Sequence, residues 1–246
     1  MVKGRIAVYL THFNRPKGLR AALASVLAQT HADLRCVVLD DGSTPRPVLD
    51  ELTDDERVTL VCFPRRSAEY KRARCTLSAN LNEARGLVAD AEFASYLTDT
   101  TTYQPDRIER MIAGYRECAA KMRDQRLGLA WAHQSTGFNP STDPGREVEE
   151  WGANRLRKRL EHGNFIDYAS VLESVEHCGA QRWDESGSAW PHNDWLRWLA
   201  HAANGLSAAR LPVYSDHKDT SGPEHMGQVF LRGGDASEFV DTKREE

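Results

Sequence analysis

The chain has 246 residues, of which 40% are hydrophobic and 28% charged, and its formal net charge is −4. These values suit one large α/β domain or two small ones, and they argue against a broad basic field for nucleic acid or anionic lipid. Five scattered cysteines without CxxC spacing indicate a reducing compartment rather than a disulfide framework or a zinc knuckle. Without a membrane-length apolar run or a signal-peptide segment, the sequence predicts a cytoplasmic protein with no integral membrane segment.

The first forty residues predict a parallel βαβ unit. RIAVYLT has the β-rich, apolar composition of a buried strand, NRPKG turns the chain, and LRAALASVLAQ has apolar residues at helical spacing. LRCVVLD then predicts a second strand that ends at the acidic turn DDGSTP. Strand, helix and strand joined by short connections favour a parallel sheet.

The same alternation continues more loosely along the chain. The predicted elements are a short helix at VLDEL, a strand at RVTLVCFP, a basic segment that is helical over its second half, a strand at EFASYLTD, an amphipathic helix at PDRIERMIAGYRECAAKMRD and a strand at LGLAWAHQSTG. Residues 138–162 are expected to be an insertion or flexible loop leading into a short helix. The final third predicts helices at YASVLESVEHCG and NDWLRWLAHAANG, a strand at ARLPVYSDH and an extended tail.

Three predicted strands end in polar turns, at THFNRP, DDGSTP and TDTTTYQP. Ligands of open parallel sheets bind at the carboxyl ends of the strands. The acids there, Asp40, Asp41 and Asp99, therefore predict a crevice suited to ribose hydroxyls, a base edge or a divalent metal. Neither GxGxxG nor GxxxxGK[ST] is present, which disfavours a dinucleotide dehydrogenase and a P-loop NTPase.

These motifs resemble a known family. VYLTHFNRPKGLRAALASVLAQTHADLRCVVLDDGSTP is similar to the opening of the family 2 inverting glycosyltransferases, and YLTDTTTYQPDRIERM resembles their acidic motif, proline and helix. RWDESGSAWPHNDWLRWLAHAANG resembles the acceptor-side segment, with a spacing around WDES and Asp194 that is particularly similar to the family's spore-coat polysaccharide enzymes. The resemblance covers roughly residues 5–220, interrupted at 138–162.

The resemblance implies an α/β fold of GT-A type, with a mostly parallel central sheet and helices on both faces. It further implies one domain over residues 1–220, with a nucleotide-sugar half at about 1–105 and an acceptor half at about 106–220, followed by a tail at 221–246. The donor would be a UDP- or dTDP-sugar. The residues that the resemblance places at this donor are Thr11, Phe13, Asn14, Asp40 (or, as a second choice, Asp41), Arg74 (with Arg72 as the alternative), Thr98 and Asp99.

A divalent cation, Mn²⁺ or Mg²⁺, is also implied, with Asp99 and His217 as its ligands. The family follows its first acid with one or two more, whereas this chain has Thr100 to Thr102. Because hard cations take oxygen ligands, one carboxylate plus diphosphate oxygens can hold the ion, although the loss of a second carboxylate weakens its affinity. An ordinary surface role for His217 remains an equal alternative.

Asp194 is the candidate general base, since inverting transfer needs a carboxylate that takes the proton of the attacking hydroxyl. Its place before the apolar-periodic WLRWLA also suits a helix cap. Candidate acceptor contacts are Trp190, Asp184 and Glu185, each with an ordinary structural role as the alternative.

The sequence is compatible with two other functions. One is a nucleotide-sugar-binding GT-A protein without catalysis, which the TDTTT sequence would suit. The other is a DNA-modifying glycosyltransferase, because the acceptor (a saccharide, a small molecule or a modified nucleic acid) cannot be identified from the sequence and a basic cluster lies at Arg155–Arg159. A nucleotidyltransferase is disfavoured because THFNRP lacks the Gly-rich phosphate loop.

Overall fold

The structure is a computed structural model that describes residues 4–122, 126–134, 147–189 and 192–218. Its strands are β1 (Ile6–His12), β2 (Leu34–Asp40), β3 (Val58–Cys62), β4 (Phe93–Thr98), β5 (Thr101–Tyr103), β6 (Leu127–Gln134), β7 (Glu149–Trp151), β8 (Val171–Ser174) and β9 (Ser207–Lys218). Its α-helices are α1 (Pro16–Leu27), α2 (Leu49–Leu52), α3 (Ala68–Ala73), α4 (Thr76–Ala84), α5 (Arg107–Lys121), α6 (Ala153–Leu160), α7 (Val175–Cys178) and α8 (Asn193–Ala203).

All these strands belong to one sheet, ordered β3-β2-β1-β4-β8-β6-β9-β5, with β7 paired to β9. The four strands from β3 to β4 are mutually parallel, and β8 runs antiparallel to both of its neighbours. β6 and β9 are parallel again, while β5 and β7 pair antiparallel with β9. The predicted α/β fold with a mostly parallel sheet is confirmed.

The alternation of β1 explains why helices cover both faces of the sheet. Ile6, Val8 and Leu10 lie in one buried core with apolar residues of α1 and α5. Ala7 and Tyr9 point to the opposite face, into a second core that includes residues of α4, α6 and α8. A strand buried on both faces has a continuous apolar run, as RIAVYLT does.

One predicted helix is wrong. YASVLESVEHCG forms a 3₁₀ turn (Tyr168–Ser170), then β8, and only then the short α7. The four residues of β8 are all buried, and their backbone pairs with β4 on one side and β6 on the other. Pairing in the middle of the sheet thus overrides the helical spacing of the apolar residues.

Smaller differences concern boundaries. The first half of the basic segment also forms a helix, α3, and the long amphipathic helix begins at Arg107 rather than beside Pro105. The described part of the predicted insertion forms β7 and α6, whereas residues 138–146 and the predicted tail at 221–246 lie outside the described residues. Among the described helices, none combines the length and the apolar character that crossing a bilayer requires.

Candidate functional site

The carboxyl ends of β1, β2 and β4 meet at one edge of the sheet. In the strand register Thr11 lies beside Thr98, and His12 lies beside Asp40. The sequence-predicted residues Thr11, Asp40 and Thr98 are therefore neighbours, and Asp99 follows directly after β4. This edge is where ligands of open α/β sheets bind.

Asp99 is tied to the end of β1 by its carboxylate. Its Oδ2 accepts a hydrogen bond of 3.0 Å from the Phe13 backbone N–H and lies 3.0 Å from His12 Nδ1. Its Oδ1 lies 4.0 Å from Arg15 Nη1, and the side chain is 11% exposed. The Asp99 carboxylate thus holds the loop after β1 in place, and its negative charge lies close to Arg15.

α1 begins in contact with this acid. A Cβ at Gly18 would lie 2.0 Å from the Asp99 carbonyl oxygen, a distance that real Cβ atoms do not reach. Only glycine therefore allows this approach of the first turn of α1 to the end of β4.

Asn14 joins the loop after β1 to the loop after β2. Its N–H donates to Ser43 Oγ at 2.9 Å, and its Oδ1 accepts from the Thr44 N–H at 2.9 Å. Its φ of 53° lies in the left-handed region that asparagine tolerates better than most residues. The predicted donor-site residue thus has a clear structural role in this structure.

The two acids of DDGS have different surroundings. The carboxylate of Asp40 is fully buried and accepts hydrogen bonds of 3.2 Å from the Ser43 N–H at both oxygens. Asp41 is partly exposed. The donors to Asp41 are Lys71 Nζ at 2.7 Å, Asn80 Nδ2 at 3.1 Å and Thr76 Oγ1 at 3.2 Å.

Phe13 has two cations close to its ring. Lys71 Nζ lies 4.2 Å from the ring centroid and Arg65 Cζ lies 5.9 Å away. The sequence singles out neither cation as a site residue, and the basic composition of their segment is the signal that could have found them. Positive charge beside an aromatic ring suits a nucleotide, whose base stacks and whose phosphates are anionic.

Arg74 and Glu185, predicted for the donor and the acceptor, form an ion pair with each other. Glu185 also accepts from Asn82 Nδ2 at 2.9 Å and from Arg182 Nη2 at 2.8 Å. Burial acts to raise the pKa of Glu185, but the hydrogen bonds from Arg74, Asn82 and Arg182 outweigh it and lower the pKa to about 2. Asp184 is exposed and accepts from the Ser186 N–H at 2.8 Å.

Asp194 is the second residue of α8, and the N-cap position belongs to His192. The alternative prediction, that Asp194 caps this helix, is therefore wrong. One carboxylate oxygen accepts from Asn164 Nδ2 at 3.1 Å and the other from the Trp195 N–H at 2.7 Å. The predicted acceptor residue Trp190 lies outside the described residues.

A buried charge cluster joins α8 to the sheet. Arg197 donates to both oxygens of Glu173, at 2.7 and 2.8 Å, and the Tyr96 hydroxyl donates to Glu173 at 2.6 Å. Burial acts to raise the pKa of Glu173, yet the charges of Arg197 and His201 and the hydrogen bonds lower it to about 2. The first turn of α8, which carries Asp194, is thereby held in a fixed place.

Tyr168 connects the two groups of residues. Its side chain is buried, and its ring packs 5.1 Å from that of Tyr96. Burial raises the pKa of Tyr168 well above its ordinary value, and the negative charge of Asp194 raises it further. The first turn of α8 therefore lies beside the segment that leads into β8, whose Tyr168 packs on Tyr96 of β4.

The predicted metal ligands, Asp99 and His217, each have a defined place in the structure. Oδ2 of Asp99 already accepts the Phe13 N–H, Oδ1 faces Arg15, and the exposed His217 lies opposite Thr102 in the pairing of β5 with β9. Within the described ranges, no three His, Cys, Asp or Glu side chains converge on a point where an ion would sit. Binding of a divalent cation by Asp99 and His217 together with donor oxygens stays a prediction.

Residues 7–122 match the model of the family "Glycosyl transferase family 2". This range contains β1 to β5 and α1 to α5, and with them Asp40 and Asp99. The part of the chain that ends at residue 122 is thus similar to the family 2 glycosyltransferases.

Two bacterial proteins are similar to parts of the chain. The chain is 26% identical over 203 residues to protein CgeD of Bacillus subtilis (strain 168), a match that covers 79% of this chain and 45% of CgeD. It is 33% identical over 110 residues to the succinoglycan biosynthesis protein ExoW of Rhizobium meliloti (strain 1021), covering 42% of this chain and 32% of ExoW. The chain thus spans less than half the length of these relatives.

Solved structures show the same fold. The crystal structure of residues 1–349 of S. aureus TarS in complex with UDP-GlcNAc superimposes with a TM-score of 0.67 at 13% identity, over 91% of this chain and 60% of that one. The same protein in complex with UDP gives a TM-score of 0.64 at 12% identity, over 97% of this chain and 65% of that one.

Proposed function

We propose that the protein is an inverting glycosyltransferase that moves a sugar from a UDP- or dTDP-sugar to an acceptor hydroxyl, with Asp194 as the general base. The observation that carries the proposal is the carboxylate of Asp194 in the first turn of α8, hydrogen-bonded to Asn164 in the segment whose Tyr168 ring packs 5.1 Å from Tyr96 of β4. A carboxylate across the cleft from the nucleotide is what inverting transfer needs. TarS, a structural neighbour, has been crystallised with UDP and UDP-GlcNAc, which supports a uridine nucleotide as donor.

The chemical step follows from this placement. The acceptor hydroxyl gives its proton to Asp194 while its oxygen forms a bond to the anomeric carbon from the face opposite the diphosphate. The bond between that carbon and the diphosphate oxygen breaks, and its electron pair leaves with the nucleoside diphosphate, so the configuration inverts. Arg65 and Lys71, the latter also paired with Asp41, supply positive charge beside Phe13 that would stabilise the leaving diphosphate.

Dependence on Mn²⁺ or Mg²⁺ stays a prediction, and no step above passes through a metal. The Asp99 carboxylate and the His217 imidazole are the side chains that the prediction names. Donor turnover measured with Mn²⁺, with Mg²⁺ and with a chelator tests it directly. Full turnover in the presence of chelator would contradict the prediction.

A nucleotide screen and one substitution test the proposed function. Uridine or thymidine diphosphates and their sugars should raise the melting temperature, since a ligand that binds the native state stabilises it by mass action. Asp194→Asn should keep this shift and lose turnover of the donor by about 10²–10⁴-fold, the usual share of general base catalysis. Wild-type turnover in Asp194→Asn would refute the role of the base.

The second candidate is a protein that binds nucleotide sugars without transferring them. The threonines that follow Asp99 favour it, because they stand where the family has further acids. The hydroxyls of Thr100 and Thr101 lie 2.8 and 3.2 Å from Thr98 Oγ1. Such a protein would bind UDP in the melting assay. It would hydrolyse or transfer no sugar with any of the donors and acceptors tried.

A further inference from the structure

The segment from Leu160 to Ile166 lies along the first two turns of α8. Two tryptophans of the helix hold it there, because Trp195 Nε1 donates to the Leu160 carbonyl at 2.7 Å and Trp198 Nε1 donates to the Ile166 carbonyl at 3.0 Å. Both ends of the segment are thus hydrogen-bonded to the helix that carries Asp194.

Asn164 lies between these two contacts. Its Oδ1 accepts from the Ile166 N–H at 3.2 Å, and its Nδ2 donates to Asp194 Oδ2 at 3.1 Å. Since an N–H can donate only to the amide oxygen, the contact with Ile166 fixes which end of the amide faces Asp194. The carboxylate therefore meets an N–H donor, not a carbonyl.

The backbone before Asn164 is also specific. Gly163 has φ of 142°, a conformation that residues with a side chain rarely adopt. Its N–H donates to the Leu160 carbonyl at 3.1 Å, which closes a turn at the end of α6. This turn brings Asn164 from the end of α6 to the first turn of α8.

α8 itself is fixed independently of this segment. Arg197, three residues after Asp194, is paired with Glu173 of β8, and both side chains are almost fully buried. Loss of the Asn164 side chain would therefore leave the helix in place and change only the surroundings of the carboxylate. Among the titratable groups near Asp194 are Tyr168, from the segment before β8, and His192, at the start of α8.

We propose that Asn164 is a positioning residue for the general base: its amide holds the Asp194 carboxylate in one orientation and favours its ionised form. The role rests on the proposed function, because it has meaning for turnover only if Asp194 accepts the proton. An N–H donor stabilises a carboxylate relative to the carboxylic acid, so its removal makes protonation easier.

The test compares Asn164→Ala with Asn154→Ala, a matched control at an exposed position of α6. The probes are UDP-GlcNAc and UDP-glucose, whose hydrolysis to UDP needs no identified acceptor. For Asn164→Ala, kcat should fall about tenfold at neutral pH and the acidic limb of its pH profile should move up by about one unit, while the UDP dissociation constant stays unchanged. Asn154→Ala should match the wild type in all three measurements.

Asn164→Asp is a second variant that preserves the shape of the side chain. It places a carboxylate against a carboxylate, so the acidic limb should move further than in Asn164→Ala. The titration of Asp194, followed by ¹³C NMR of aspartate-labelled protein, should shift in the same order without any turnover being measured. A merely structural role would lower the melting temperature and leave the pH profile in place.

The outcomes separate the two proposals. If Asp194→Asn is inactive but Asn164→Ala and Asn164→Asp both keep the wild-type kcat and acidic limb, the role of Asn164 is refuted and the base stands. If Asp194→Asn turns over the donor at the wild-type rate, the base fails and the role of Asn164 fails with it.

Discussion

At the scale of single residues, Asp99, Asp40 and Asp41 each stabilise a different part of the site. Asp99 receives the Phe13 N–H and the contact with His12, so it shapes the loop after β1. Asp40 closes its own turn through the Ser43 N–H, and Asp41 collects three donors from the basic segment and α4. Each carboxylate therefore orders a loop at the edge of the sheet where β1, β2 and β4 end, and adds negative charge there.

Asp99→Asn should lower donor turnover about ten- to a hundredfold, because it weakens charged hydrogen bonds to the loop after β1. The measurement is kcat/KM for UDP-sugar hydrolysis together with UDP affinity. Asp106→Asn is a suitable control, since Asp106 is half exposed and paired with Arg110 on the surface. Equal activity of the two variants would contradict the role of Asp99.

At the scale of elements, α8 depends on a buried ionic cluster. Glu173, Arg197 and His201 are each nearly or fully buried, and His201 Nε2 lies 3.5 Å from Glu173. Burial lowers the pKa of His201 to about 4, even though the charge of Glu173 acts in the other direction. The helix that presents the proposed base is thus bound to the sheet by groups that respond to acid.

Acid should destabilise the fold in two stages. Between about pH 6.5 and 4 the unfolded chain binds a proton at His201 that the folded chain does not, so stability falls by about 3 kcal/mol across this window. Glu173, whose pKa is lowered to about 2, adds a further loss below about pH 4.5. Urea unfolding from pH 7 to 4 measures the first stage.

His201→Gln should remove the slope between pH 6.5 and 4. His31→Gln is a control, because His31 is also buried but lies far along the chain from this cluster. A slope that survives in His201→Gln would show that other groups cause it.

The elements also show what sequence can predict. β1, β2 and β4 were predictable because strands buried on both faces have uninterrupted apolar runs that end at polar turns. β8 was not, since its place between β4 and β6 depends on pairing with strands distant in sequence. Asn164 was missed for the same reason: its partner Asp194 lies on another element, and asparagine beside glycine has the appearance of an ordinary turn.

At the scale of the whole molecule, β9, the last strand in the described part of the chain, ends close to the carboxyl end of β4. β9 pairs with β5 directly after Asp99, in a register that sets His217 opposite Thr102. This pairing brings the end of the described chain to the acidic motif of β4. The prediction that Asp99 and His217 bind one metal ion depends on this pairing.

His217→Ala should raise the Mn²⁺ concentration needed for half-maximal turnover by about tenfold or more, if the imidazole is a ligand. His162→Ala, an exposed histidine at the end of α6, is the control. An unchanged metal titration would remove His217 from the site and leave it as a surface residue.

The contact at Gly18 has a consequence for engineering. Because a single missing methyl group lets the first helix reach the backbone of Asp99, any larger residue there would push the two apart and carry the acid with it. Variants meant to accept other donors are therefore better sought around Phe13, Arg65 and Lys71, where flexible side chains can rearrange. In a library of random changes, position 18 should tolerate the fewest replacements of any residue in α1.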